Sequence, residues 1–381
     1  MDPIYFTDEH RMLRDTAARF VREEVVPEAD AWEEAGEVPR EKFRRMGELG
    51  FFGIRYPEQY GGSDMNAIAS AALWEELAKC GYGGFTIGPM VHGEMASPHL
   101  ARYGSDAQKE KYLPGVIAGE TVTAIAVTEP DGGSDVAALR TRAKRKGNDA
   151  WVLNGAKMFI TNGALADVYF VAARTDPDAK GSRGLSMFIV EKGTPGLTVA
   201  KKLDKHGWRS SDTAELSFED CEIPAENLLG EENKGFYAIM DNFQNERLVG
   251  SAAAVGESLK AIEITTDYVK TRKAFGGTLW DKQVVRHKLA TLAMKVEAGR
   301  ALTYHTAWLD AQGADCVKEV SALKAYMGEL VNEVMYTCVQ LHGGMGLMRE
   351  SAIERMSRDA RVIAIGAGAT EVMVEEVAKR M

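Results

Sequence analysis

Toward the C-terminal end of the chain, apolar residues recur in steps of three, four and seven. Leu248, Ala252, Val255, Leu259, Ile262 and Val269 form one such series, and Val320, Leu323, Met327, Leu330, Val334, Cys338 and Leu341 another. Each series puts a single apolar stripe on a helix, so the spacing predicts two one-faced helices that pack into a bundle. No proline follows Pro224. Interior proline costs a helix about 3 kcal/mol, so long uninterrupted helices are permitted there. Between about residues 121 and 230 the pattern changes to short β-branched and aromatic runs such as "TVTAIAVTE", "DVYFVAAR" and "GLSMFIVEKG", punctuated by Gly, Asn, Asp and Pro. That pattern predicts an antiparallel sheet or barrel. Residues 1–120 return to helical patterns, with Asp8 and Glu9 placing negative charge where a helix start favours it.

At 381 residues the chain is too long for one ordinary core, and two or three domains are expected. Hydrophobic residues make up 45% and charged residues 27%, the balance of a soluble globular protein. A net charge of −10 argues against nucleic acid or an anionic membrane as the main partner. Cys80, Cys221, Cys316 and Cys338 form no CxxC pair and no cluster with histidine, so neither a metal site nor a disulfide framework is expected, and a reducing compartment is. The acidic start "MDPIYFTDEHRML" lacks the layout of a signal peptide, and no apolar run reaches the length of a membrane span. A cytoplasmic protein is the resulting expectation.

The string "AVTEPDGGSD" (126–135) carries the first candidate chemistry. "PDGG" reads as a turn. Thr128 and Ser134 add hydroxyls, and Gly132 and Gly133 allow backbone amides to approach a bound anion or the edge of a ring. No GxGxxG follows a strand and no GxxxxGK[ST] occurs, which excludes the usual dinucleotide and P-loop signatures.

This string, "KMFITNG" (157–163), "TRKAFGG" (271–277), "CVQLHGGMG" (338–346) and "RDARV…GAGATE" stand in the order and spacing of the acyl-CoA dehydrogenase family. The chain resembles that family over essentially its whole length, nearest the long-chain and isovaleryl-CoA branch. The resemblance implies an α+β multidomain fold: an N-terminal helical domain (1–120), a central β-barrel (121–230) and a C-terminal four-helix bundle (231–381). It further implies FAD between barrel and bundle, a homotetramer built as a dimer of dimers, an acyl-CoA substrate, and an electron-transferring flavoprotein as acceptor.

Carried over residue by residue, the resemblance assigns Ala126, Thr128, Ser134, Phe159 and Thr161 to the flavin. Phe159 stands where the family more often has Trp; it keeps the aromatic face without an N–H donor. Arg272, Phe275 and Gln283 match positions that reach a neighbouring subunit's FAD, and Gln340, Gly343 and Gly344 match a second cross-subunit contact. Arginine suits a pyrophosphate because its planar fork bonds phosphate oxygens in pairs. Thr370 and Glu371 match cofactor contacts near the last turn. Ser134, Ser182, Arg247 and Gly368 match positions on the acyl-CoA.

The family's reaction removes an α-proton with a carboxylate, which needs a close, partly desolvated group of raised pKa. Many members carry that glutamate in the C-terminal turn, where this chain reads Gly366-Ala367-Gly368-Ala369. Ala367 cannot accept a proton. The long-chain and isovaleryl members place the glutamate on a helix before an arginine, and "NFQNERLVG" supplies Glu246 before Arg247. Glu246 is therefore the expected base, and the small turn leaves room for substrate. Two other readings stay open: a flavin oxidase or monooxygenase of the same fold, and a catalytically silent acyl-CoA-binding paralogue. Gly83, Gly84 and Gly88 either deepen a pocket or form a loop.

Overall fold

The computed structural model describes residues 4–179 and 181–381. Seven helices come first: α1 (Asp8–Phe20), α2 (Ala29–Ala35), α3 (Arg40–Glu48), α4 (Ala67–Ala78), α5 (Gly83–Met90), α6 (Ser97–Tyr103) and α7 (Asp106–Ile117). Thr7 is the N-cap of α1, with Asp8 and Glu9 in its first turn. Helix α4 is buried along its whole length, sandwiched against the C-terminal helices. It carries Glu75 into that interior, where the carboxylate accepts bonds from Arg300 Nε (2.9 Å) and the Tyr304 hydroxyl (2.8 Å). "GYGGFTIGP" is largely helical, not a loop. Glycine there serves close packing, because a Cβ on Gly84 would stand 2.3 Å from Ser210 Oγ. Pro89 lies inside α5, and the next turn widens into a π-helix over Val91–Ala96, consistent with the missing proline N–H.

The middle of the chain forms β1 (Thr123–Ala126), β2 (Arg142–Lys146), β3 (Ala150–Thr161), β4 (Val168–Arg174), β5 (Leu185–Glu191), β6 (Leu197–Lys202), β7 (Thr213–Pro224) and β8 (Leu228–Leu229). The sheet runs β6-β7-β3-β2-β4-β5-β8, with β1 added on β4. Strands near both ends of this path share one core, with Phe188 and Val190 of β5 packed in the same interior as Ala214, Leu216 and Phe218 of β7, so the sheet curls on itself as the expected middle β-domain. Most pairings are antiparallel, but β1 and β2 pair β4 in parallel. The β2–β3 hairpin reverses the chain and brings β4 back in the direction of β2. Strand β4 is buried on both faces: Phe170 and Ala172 pack toward the helices, Tyr169 and Val171 into the sheet's own core. Burial on both sides explains why "VYFVAA" reads as a continuous apolar run.

The C-terminal part holds α8 (Gly235–Thr271), the short strands β9 (Lys273–Ala274) and β10 (Gly277–Thr278), α9 (Gln283–Ala311), α10 (Val317–His342), α11 (Ala352–Ala360) and α12 (Thr370–Ala378). Leu248, Ala252, Val255, Leu323, Met327, Leu330 and Val334, all from the two predicted stripes, lie in one buried core. Ala67, Ile68, Ala71 and Ala72 of α4 join the same core, fixing α8 against the N-terminal helices. No described helix is long and apolar enough to cross a membrane.

Candidate active site

A cavity of about 1410 Å³ opens between the sheet, α5 with its π-helical extension, α8 and the Gly366–Gly368 turn. On the sheet side, Thr128, Gly132, Gly133 and Ser134 line it. Their loop is tied to β3 through a buried ion pair. Lys157, 0% exposed, donates to Glu129 Oε1 (2.8 Å) and to the Val127 carbonyl (3.0 Å). Glu129 also accepts from the Arg140 (2.7 Å) and Thr141 (2.9 Å) backbone N–H groups. Burial works to raise its pKa, but the Lys157 charge and these hydrogen bonds outweigh it and hold the carboxyl below its usual value.

Strand β3 breaks register between Lys157 and Ile160, and Phe159 stands in that bulge at φ 60°. Left-handed backbone costs an ordinary residue about 1 kcal/mol or more. The strain turns out an aromatic ring that is 66% exposed and lines the cavity beside Thr161. Bulges characteristically re-aim a side chain next to a site. A Cβ on Gly132 would meet nothing within 4 Å. An uncovered aromatic face, open glycine backbone and the hydroxyls of Thr128, Thr161 and Ser134 together fit a flat ring that hydrogen-bonds at its edge.

On the opposite wall, Glu246 of α8 is only 5% exposed and lines the cavity. Its Oε1 accepts from Asn242 Nδ2 (3.1 Å), and its other oxygen has no hydrogen-bond partner among the described residues. Asn242 is held in turn by the Glu94 and Met95 carbonyls (3.2 and 3.0 Å) of the π-helical segment. Burial pushes the Glu246 carboxyl up to about 8, against the opposing pull of Asn242 and the Arg247 charge. Arg247 reaches the turn, its Nε 3.4 Å from the Ala367 carbonyl. Lys324 of α10, which sequence reasoning missed, donates to the Gly368 carbonyl. Ala367 is left-handed at φ 53°, and Gly368 at φ 107° leaves no room for a Cβ, which would stand 2.7 Å from Met373 Cε. The two cations pin a compact turn that lines the same cavity as the carboxylate.

Not every expected residue joins this cavity. Ala126 lies in the sheet core, and Ser182 lies off the lining. Thr370 and Glu371 line a smaller hollow of about 310 Å³, where Thr370 Oγ1 donates to Glu329 Oε1 (2.9 Å). Arg272, Phe275, Gln283, Gln340, Gly343 and Gly344 also lie off the cavity, near one end of the bundle. Phe275 and Gly276 form the two-residue turn between β9 and β10, both at positive φ (53° and 79°), and Phe275 is 89% exposed. Tyr268 stacks on His342 with ring centroids 4.2 Å apart, holding this hairpin beside Gly343 at the end of α10.

The helical–β–helical architecture and the cavity between its parts fit a protein that holds a planar ring against the sheet. Residues 7–120, 124–221 and 233–381 match the models of the N-terminal, middle and C-terminal domains of acyl-CoA dehydrogenases. The mitochondrial long-chain specific acyl-CoA dehydrogenase of Mus musculus is 42% identical, the match covering 99% of this chain and 87% of that protein. The mitochondrial isovaleryl-CoA dehydrogenase of Pongo abelii is 40% identical over 96% of this chain and 87% of its own. The crystal structure of a probable acyl-CoA dehydrogenase from Mycobacterium abscessus superposes with a TM-score of 0.95 at 43% identity, covering 98% of this chain and 99% of that one. The chain belongs to the acyl-CoA dehydrogenase family, flavoprotein oxidoreductases that depend on FAD and act on acyl-CoA.

Proposed function

We propose that this chain converts an acyl-CoA thioester to the trans-2-enoyl-CoA, with Glu246 taking the α-proton. The observation that carries this reading is a buried carboxylate with one free oxygen, facing the same cavity as a turn from which the alternative carboxylate is missing. FAD, when bound against Phe159 and Thr161, would supply the acceptor for the β-hydride. The chain's residues do the rest. Glu246 receives the α-proton on its unpaired oxygen, and Asn242 fixes the carboxyl through the other. Arg247 and Lys324 hold the Gly366–Gly368 turn, whose small residues leave space for the thioester. Phe159 offers its ring to the flavin face, and Thr128, Thr161 and Ser134 offer hydroxyls to its edge and to the acyl-CoA. An anaerobic titration with acyl-CoAs of different lengths tests this reading. Loss of flavin absorbance with release of the enoyl product is expected; binding without bleaching contradicts it.

Only the deprotonated carboxyl accepts a proton. With the Glu246 carboxyl raised to about 8 by burial, the rate of flavin reduction in wild-type enzyme should rise with pH through about 8 and level off above it. Stopped-flow rates from pH 6 to 10 check this, and a flat profile contradicts it.

Arg272, Phe275, Gln283, Gln340, Gly343 and Gly344 serve the FAD of a second subunit in a homotetramer. Their support is placement. An exposed, strained aromatic and an arginine sit beside a glycine-capped helix end, and Val284, Met294, Tyr336 and Leu347 leave apolar surface uncovered along the same helices and the turn after α10. An arginine–phosphate bond contributes about 1.5–3 kcal/mol, so Arg272→Ala should weaken FAD affinity roughly ten- to a hundredfold. Flavin-to-protein absorbance, read with light scattering, measures this; full FAD retention in a monomeric form contradicts the assignment. Reduced enzyme passes its electrons to an electron-transferring flavoprotein and reacts slowly with oxygen.

A further inference from the structure

Side chains, as well as the helix itself, meet the carbonyls of the π-helical segment Val91–Ala96. Thr123 Oγ1 (3.1 Å) and Ser97 Oγ (2.6 Å) donate to the His92 carbonyl, and the Tyr56 hydroxyl (2.8 Å) donates to that of Gly93. The next two carbonyls face α8. That of Glu94 accepts from Asn242 Nδ2 (3.2 Å) and Asn245 Nδ2 (3.0 Å), and that of Met95 accepts from Asn242 Nδ2 (3.0 Å). Single π-turns are frequent at functional sites, and this one sits against the helix that carries Glu246.

Glu94 also bears a carboxylate that is buried and makes no ion pair among the described residues. Its Oε1 accepts from Trp74 Nε1 of α4 (3.0 Å) and its Oε2 from Asn245 Nδ2 (2.9 Å). The Asn245 amide is thereby fully used. Its Nδ2 serves Glu94 twice, and its Oδ1 accepts from Arg55 Nη1 (2.7 Å), while Arg55 Nη2 holds Asp310 of α9 (2.7 Å). The Asn242 amide is not. Its Nδ2 serves the two carbonyls and Glu246 Oε1 (3.1 Å), but its Oδ1 is buried with no partner among the described residues. Turning that amide over would press its oxygen on the two carbonyls, so the π-helical segment dictates which end meets Glu246. Buried acceptors are rarely left orphaned; here the orphan accompanies an N–H aimed at a carboxylate.

We infer that Glu94 is a positioning residue for the base: its carboxylate locks Asn245 and Trp74 around it, and the carbonyl that Asn242 and Asn245 share then fixes the amide that orients Glu246. The inference rests on Glu246 as the α-proton acceptor proposed above and extends its positioning to the N-terminal helices.

The charged groups around Glu246 are Arg247 beside it on α8, Lys324 of α10 in the same cavity lining, and Glu94 behind the two asparagines. The Asn242 N–H draws the Glu246 carboxyl down from where burial alone would hold it, so loosening Asn242 raises its midpoint. Removing the Glu94 negative charge through space would lower that midpoint, so the sign of the shift separates the two effects.

The test follows anaerobic flavin reduction by saturating dodecanoyl-CoA in stopped flow across pH. Holoenzymes of wild type, Glu94→Leu, Glu94→Gln, Asn242→Leu and the double variant Glu94→Leu/Asn242→Leu are compared. Glu94→Leu should raise the midpoint by about one pH unit, the scale of a lost hydrogen bond to a charged group. Its limiting rate should fall about tenfold, with the Kd for dodecanoyl-CoA changed by less than about twofold. Glu94→Gln, which keeps size and one acceptor oxygen, should fall between Glu94→Leu and wild type. Because Glu94 acts through Asn242, the double variant should show the midpoint of Asn242→Leu alone. An unmoved or lowered midpoint in Glu94→Leu, or shifts that add in the double variant, overturns the positioning role and leaves Glu246 as the base. If Glu94→Leu does not fold, Glu94→Gln carries the test: a raised midpoint supports the role, and an unmoved or lowered one overturns it. Bleaching of Glu246→Gln at the wild-type rate overturns the base, and the positioning role with it.

Discussion

Replacing Glu129 by Ala is expected to destabilise the protein by about 3–5 kcal/mol, the usual consequence of stripping one partner from a buried ion pair. Lys157 is fully buried and, among the described residues, has only Glu129 Oε1 and the Val127 carbonyl as hydrogen-bond partners. The variant leaves that ammonium in the interior without a counter-charge. It also frees the Arg140 and Thr141 N–H groups that Glu129 now receives. The loss has a functional side, because the same pair anchors the loop bearing Thr128 and Ser134. Denaturant melts of wild type and variant measure the first effect, and flavin retained after gel filtration measures the second. Glu129→Gln keeps one acceptor oxygen, enough for the Thr141 N–H and Lys157 that now share Oε1 but not for the Arg140 N–H on Oε2, and should lose less than the alanine variant. Equal stability of Glu129→Ala and wild type contradicts a structural role for the pair.

Replacing Glu246 by Gln should lower flavin reduction by about 10²–10⁴-fold, the contribution of a positioned general base. Gln preserves side-chain length and can still meet the Asn242 amide, so FAD and acyl-CoA should still bind. What it lacks is an oxygen able to take a proton. Ala367→Glu in that background supplies a carboxylate elsewhere in the lining of the same cavity and should restore part of the activity. Partial restoration is the realistic outcome, because burial, Asn242 and Arg247 all tune Glu246 and none of them is arranged around residue 367. Ala367 is also already left-handed at φ 53°, so the larger side chain starts from a strained backbone. Activity in the double variant no higher than in Glu246→Gln alone means that this turn does not address the α-carbon here.

Much of the fold was legible because burial follows period. The stripes on α8 and α10 are regular enough to mark core positions, and the freedom from proline after Pro224 agrees with helices reaching from Gly235 to Thr271 and from Val317 to His342. Strand existence was legible from β-branched runs, but strand direction was not. Whether β4 meets β1 in parallel depends on the hairpin folded between them, which leaves no local signature. The glycines of "GYGGFTIGP" left a deepened pocket and a loop both open; the segment is a helix packed on Trp208 and Ser210, and its Gly83 lines the cavity.

The candidate site divides the same way. Glu246 came into view through the "NERL" string and the small turn at Ala367, and the structure places both on one cavity. Its raised pKa could not be read from sequence, since it arises from burial among segments distant in the chain. Lys157 and Glu129 each sat inside a quoted motif, but nothing local pairs a loop residue with one on β3. Lys324, Trp74 and Glu94 carried no signal at all: each is an ordinary polar or aromatic residue until the fold closes around it.

Single-turnover flavin reduction tests the central claim most directly. Wild-type and Glu246→Gln holoenzymes, matched for FAD content, are mixed anaerobically with saturating dodecanoyl-CoA at a pH above 8, and flavin absorbance is followed by stopped flow. If Glu246 takes the α-proton, the wild-type flavin bleaches and the variant lags by at least about 10²-fold while still binding the ligand. Bleaching of Glu246→Gln at the wild-type rate contradicts the assignment of the base.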